Sequence, residues 1–143
     1  MVNKQLSLFL ENKSGRLAEV TRIIADVGVD ILAMAIADTT SFGILRLIVD
    51  DIDKAAKALE EHGLAFKITD VVAIEVPDRP GGLADALQIV DKAEIGIEYM
   101  YAFIGKNSTV AHVILKITDA DRAIEVFKKN DIKVISSAFI ADI

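Results

Sequence analysis

The sequence predicts an α+β fold of two tandem βαββαβ units, each an antiparallel sheet with its helices on one face. Three observations carry that prediction. A glycine-centred corner occurs twice, an apolar pattern repeats behind it, and the period of that pattern switches between strand and helix. "NKSGRL" stands at Asn12 to Leu17 and "DRPGGL" at Asp78 to Leu83, each after a short apolar run and before an amphipathic stretch. Leu10–Ala37 aligns on Val76–Phe103 without a gap. Identities are few (Gly15/Gly81, Leu17/Leu83, Ala18/Ala84, Ile23/Ile89, Ile31/Ile97 and Met34/Met100), but the apolar positions agree throughout. After a two-residue addition in the second copy, "ITDADRAIEVFKKNDI" lies over "DDIDKAAKALEEHGL", with Ala123 on Ala55 and Phe127 on Leu59.

Each element of the first copy has its own signal. Leu6, Leu8 and Leu10 alternate, as along a strand with one buried face. Leu17, Val20, Ile24 and Val27 recur at helical spacing, and Gly28 supplies the left-handed residue that closes a helix. Val29–Ala37 and Gly43–Val49 are aliphatic runs separated by turn-prone Asp38–Ser41, which reads as a hairpin. Asp51 or Asp53 caps a second helix through Leu59, ended by His62 and Gly63, and Leu64–Thr69 forms the last strand. Right-handed crossovers leave few arrangements for such a unit, of which the ferredoxin-like split βαβ is the familiar one. The units divide at 1–69 and 70–143, and "ITDVVAI" joins them without Pro, Gly or Ser, so they are expected to be tightly coupled.

Composition narrows the function. With 52% apolar residues the chain has ample material for a core, and no uncharged run is long enough to span a bilayer. The N-terminus lacks the apolar stretch of a signal peptide, so a cytoplasmic protein is expected. A net charge of −6 with dispersed Lys and Arg argues against a nucleic-acid surface. The absence of Cys excludes disulfides and thiolate metal sites. The two histidines stand apart: His62 at a helix end, where the dipole favours it, and His112 in a strand, with no second metal ligand at a recognisable spacing. Acidic pairs such as Asp50–Asp51, and Asp119 with Asp121, fall at helix starts, where capping explains them. No cofactor, metal or catalytic residue is expected.

The sheets' outer faces should not be polar. Period two turns Phe9, Ile44, Arg46 and Ile48 away from the helices, with Ala33, Ala35 and Ala37 beside them. The second copy replaces that alanine stripe by Tyr99, Tyr101 and Phe103. Such a face packs against another copy or another chain, or its tyrosines form a stacking platform for a ligand. Burial comes first, so a homodimer or larger assembly is expected.

At the corners the chain must pass at once from strand to helix. Gly15 and Gly81 allow a backbone conformation and a close approach that a side chain would obstruct, and Pro80 suits the first helical turn. Asn12 and Asp78 have side chains able to bond the exposed N–H groups of the turn. A sound structural corner needs nothing more. The same corner also presents free N–H donors in a concavity, which suits the carboxylate of a free amino acid.

The corner followed by "LAEVTRIIADVGVDILAMAIAD" resembles the ACT domain, a regulatory module of amino-acid metabolism whose first strand and helix are joined by acidic-or-Asn, x, Pro, Gly, x, Leu. "DRPGGL" matches in full, while "NKSGRL" has Ser14 in place of Pro. The first corner is also similar to that of the small regulatory subunits of acetolactate synthase. The resemblance implies a non-catalytic amino-acid-binding regulator, either a free-standing sensor or a subunit acting in trans on a metabolic enzyme; an assembly module that lost its ligand is the alternative. By position it implies ligand contacts at Asn12, Ser14, Gly15, Arg16 and Leu17, and at Asp78, Pro80, Gly81, Gly82 and Leu83. Facing contacts would come from the second strand of a paired domain, at Ile31 and Met34 or at Tyr99, Met100 and Tyr101. The Asn common before the Ile of that strand is Asp30 in one copy and Gly96 in the other. A branched residue at Gly81 is expected to block its corner with the fold intact.

Overall fold

The computed structural model describes residues 2–11, 13–38, 41–104 and 109–136. Asn12 of the first corner and Thr39 and Thr40 of the first hairpin turn lie outside the described residues. The chain runs β1 (Asn3–Glu11), α1 (Arg16–Asp26), β2 (Ile31–Asp38), β3 (Phe42–Val49), α2 (Ile52–Glu61) and β4 (Phe66–Pro77). It continues through α3 (Gly82–Lys92), β5 (Ile97–Ile104), β6 (Val110–Ile117), α4 (Ala120–Lys129) and β7 (Lys133–Ile135). This is the α+β fold of two βαββαβ units. Among the described residues no helix is long and apolar enough to cross a membrane.

β4 serves both units as one unbroken 12-residue strand. Nothing between Phe66 and Val76 breaks an extended chain, so the last strand of one unit continues as the first strand of the next. Contacts divide the chain into Lys4–Thr69 and a second unit that begins at Asp70 and also takes in Asn3. The Asn3 side chain, 1% exposed, donates from Nδ2 to the Ile135 carbonyl at 3.0 Å, and Val2 packs on the second unit's core.

In the first unit the strand order is β2-β3-β1-β4. Leu6, Leu8 and Leu10 stand opposite Leu47, Leu45 and Gly43, so the alternating leucines of β1 and β3 share one face. Val20, Ile23 and Ile24 of α1 and Ala55, Ala58 and Leu59 of α2 close over it. The second unit repeats the plan in the order β7-β4-β6-β5. Val72, Ile74, Val113, Leu115 and Ile117 lie with Ala86 and Val90 of α3 and Ala123, Ile124 and Phe127 of α4.

Register also settles the other face of each sheet. Ala33, Ala35 and Ala37 pair with Ile48, Arg46 and Ile44; Tyr99, Tyr101 and Phe103 pair with Lys116, Ile114 and His112. Ile48, Ala73 and Ile114 on those faces are already buried within the single chain. Phe9 and Phe42 on the first unit's outer face stay exposed, at 72% and 49%.

The helix starts fall into two kinds. α2 and α4 are capped by aspartate: Asp51 accepts from Lys54 N–H at 3.1 Å and Asp119 from Arg122 N–H at 3.2 Å. Asp51, not Asp53, is thus the cap. Asp51→Ala is expected to cost about 1 kcal/mol, read from chemical denaturation. α1 and α3 start instead on glycines in the left-handed conformation, with no side-chain cap.

Candidate ligand site at the strand–helix corners

The two corners have nearly the same backbone. Gly15 has φ 87° and ψ −9°, Gly81 φ 89° and ψ −13°. That left-handed conformation is what makes glycine the natural residue there. The first turn closes when Glu19 N–H donates to the Gly15 carbonyl at 2.9 Å, and when Asp85 N–H donates to the Gly81 carbonyl at 2.9 Å. The donors just before these, on Leu17 and Ala18 and on Leu83 and Ala84, have no partner among the described residues. Each corner is therefore an open helix N-terminus with the positive end of the helix dipole behind it.

The close approach lies one residue later than the sequence suggested. A Cβ on Gly15 would meet nothing, and on Gly81 only the Arg79 guanidinium at 3.8 Å. A Cβ on Gly82 would stand 2.2 Å from the Pro77 carbonyl oxygen. Pro80 lies in the turn ahead of α3, not in its first helical turn, because Gly81 is the cap and the helix starts at Gly82. The carboxylate of Asp78 takes no corner N–H among the described residues; its backbone N–H donates to the Thr109 carbonyl at 3.1 Å. Gly81→Val would strain the backbone at φ 89°, so it disturbs fold and site together and does not isolate binding.

The first corner is hollow. A cavity of about 240 Å³ is lined by Leu10, Glu11, Lys13, Arg16, Leu17, Ile36 and Gly43. A second, of about 280 Å³, reaches from Arg16 and Glu19 to His62 and Leu64 in the turn after α2. The charges around them are paired: Lys13 Nζ lies 2.8 Å from Glu11 Oε2, and the Arg16 guanidinium 3.1 Å from Glu19 Oε2. The hydrogen bond from Lys13, then its charge, and in smaller part Arg16, hold the Glu11 carboxyl below the usual glutamate range. A lowered pKa means the pairing is present at neutral pH and lost as pH falls through the folded value. In an NMR titration the Glu11 carboxyl should titrate below that of a model peptide. At the second corner the Arg79 guanidinium lies 3.6 Å from Asp85 and donates to the Pro80 carbonyl at 3.3 Å.

The residues named from the sequence are only partly together. Ser14, Gly15, Arg16 and Leu17 form the first corner, and Asp78, Pro80, Gly81, Gly82 and Leu83 the second. Leu10 at the first corner pairs with Gly43, whereas Ile31 pairs with Val49 and Met34 with Leu47, farther down the sheet. Ile36 takes the position beside the corner of its own unit. The antiparallel register of β2 on β3 was the signal for it, since the corner lies at the hairpin end of the sheet. Met100 pairs with Leu115 on the helix side, while Tyr99 and Tyr101 turn to the other side of the sheet from the α3 corner. A corner and these tyrosines therefore cannot line one pocket within one unit.

The histidines have local explanations. The His62 ring faces the Ala58 carbonyl at 2.8 Å, so its Nδ1 carries the proton and donates. His112 is buried, stacked on Phe103 with centroids 5.2 Å apart and 3.6 Å from the Glu75 carboxylate. No cluster of three metal-ligating side chains occurs among the described residues.

Two βαββαβ units, each with the same glycine corner, define the class by fold, and sequence comparison gives the family. Residues 1–143 match the ACT domain pair, and the chain belongs to that family of amino-acid-binding regulatory domains. It is 45% identical to protein BT0572 from Bacteroides thetaiotaomicron, over 100% of this chain and 98% of that one, with a TM-score of 0.94. The ligand-free regulatory subunit of aspartate kinase from Thermus thermophilus is 18% identical, with a TM-score of 0.66 over 88% of this chain and 90% of that one. Its counterpart from Thermus flavus is 17% identical, with a TM-score of 0.65 over 90% of each chain. At such identities the likeness is one of fold. No curated protein sequence matches the chain.

Proposed function

We propose that this protein is a non-catalytic amino-acid sensor that acts in trans on a biosynthetic enzyme, with the ligand's carboxylate docked on the first-turn N–H groups of α1 or α3. One observation carries the reading. Among the described residues, the two corner helices have no side-chain cap, while Asp51 and Asp119 each take one first-turn N–H of the other two, that of Lys54 and that of Arg122. An uncapped helix start with free N–H groups favours an anion. Ser14, Arg16 and Leu17 border the first anion position, and Asp78, Pro80, Gly82 and Leu83 the second. Either a homodimer or a larger assembly would bring a partner's Ile31, Met34, Tyr99, Met100 or Tyr101 toward a corner.

An assembly role without ligand has one observation in its favour. Among the described residues, the large apolar side chains that stay exposed, such as Phe9, Met34, Ile36 and Phe42, belong to the first unit. A thermal-shift panel of the common amino acids separates the two. A ligand present at about 100 times its dissociation constant stabilises the native state by roughly 2.7 kcal/mol. In a chain of this length that raises the melting temperature by several degrees. A rise limited to one chemical group of amino acids supports the sensor; a flat panel favours assembly.

A further inference from the structure

The second unit is not drawn from one stretch of chain. Val2 packs on its core and Asn3 belongs to it, although both precede Lys4–Thr69, the whole of the first unit. Asn3 is the first residue of β1, a strand whose Leu6–Glu11 pair with β3 in the first unit. What Asn3 reaches is β7. That strand closes the second unit with only three residues, Lys133–Ile135, set against Glu75, Ile74 and Ala73 of β4. So short a ladder lies at the lower end of strand lengths and holds weakly by itself. Asn3 adds one bond at its end, Nδ2 donating to the Ile135 carbonyl at 3.0 Å.

That latch is half made. Asn3 is 1% exposed, yet its Oδ1 has no hydrogen-bond partner among the described residues. A buried acceptor left unpaired costs about as much as one amide hydrogen bond contributes, so closure of the latch is near balance. An apolar side chain at this place would avoid that cost and would make no bond to β7.

We propose that the N-terminal end of β1 is a releasable strap on β7, with Asn3 as its latch. When Asn3 lets go of Ile135, β7 opens by itself, ahead of the rest of the second unit. Opening frees Ala73–Glu75 of β4 on the side that β7 covers, and uncovers Val134 and Ile135, which are buried while the strap is closed.

Native-state hydrogen exchange of the ¹⁵N-labelled full chain tests it. In the unaltered protein the ladder amides of β7 should exchange at least about 10-fold faster than those of Val113–Leu115 in β6. Their exchange should respond little to low denaturant, the mark of a local opening. Asn3→Ala should raise β7 exchange by a further factor of about 10, and leave Leu6–Leu10 and Val113–Leu115 within about 2-fold. The first measurement stands whether or not the variant folds. β7 exchange as slow as that of β6, or equally dependent on denaturant, would show that β7 leaves only with global unfolding, and the strap would be overturned. An Asn3→Ala rise shared equally by all strands, or no rise at β7, would make Asn3 ordinary core packing and would overturn the latch.

Discussion

Gly82→Ala is expected to lower the unfolding free energy by about 3 kcal/mol, the largest loss of any alanine substitution at the corners. The added Cβ would lie 2.2 Å from the Pro77 carbonyl oxygen, which belongs to a strand end and has no free rotation by which to withdraw. Gly15→Ala and Gly81→Ala act differently. Neither meets an obstacle, so each costs only the left-handed backbone, about 1–2 kcal/mol. The first copy has a side chain at the position of Gly82, namely Arg16, and there Glu11 stands where Pro77 does. Denaturant titration of the three variants measures the order; a Gly82→Ala loss smaller than that of Gly81→Ala would contradict the close approach.

Phe127→Ala is expected to cost about 3–5 kcal/mol. Phe127 is the largest of the fully buried side chains among the described residues, on α4 in the core of the second unit, and takes the place that Leu59 holds in the first. Truncating it leaves a cavity bounded by strands whose packing cannot follow a missing ring. Phe127→Leu, which copies the first unit, should lose less than half as much. Equal losses for the two variants, measured by denaturant titration, would show that the ring is not what fills the core.

Much of this fold is written locally. Alternating Leu6, Leu8 and Leu10, the helical spacing of Leu17, Val20 and Ile24, and glycine at Gly28 each act within a few residues, so reading along the chain recovers them. What stayed hidden depends on residues far apart. The lack of a breaker through Asp70 permits β4 to run as one strand but does not dictate it, because the partners that keep it extended come from β1 and from β6 and β7. Gly82 reads like any helix-start residue until Pro77 is seen above it. The burial of Ile48 and Ile114 on nominally outer faces likewise depends on the folded chain. At the site, the repeated glycine corner was legible because backbone conformation follows residue type. Ile36 was not, because its nearness to Leu10 and Gly43 follows from strand register.

The functional reading turns on whether the open donors of the first turn hold an anionic ligand. The most direct test follows the backbone amide resonances of the ¹⁵N-labelled protein during titration with whichever amino acid the melting panel selects. A carboxylate docked at a corner should shift the amides of Gly15 to Ala18, or of Gly81 to Ala84, more than any others. The capped starts at Asp51 and Asp119 should stay still. Saturable shifts gathered elsewhere, with both corners unmoved, would contradict the assignment of the ligand to the corners.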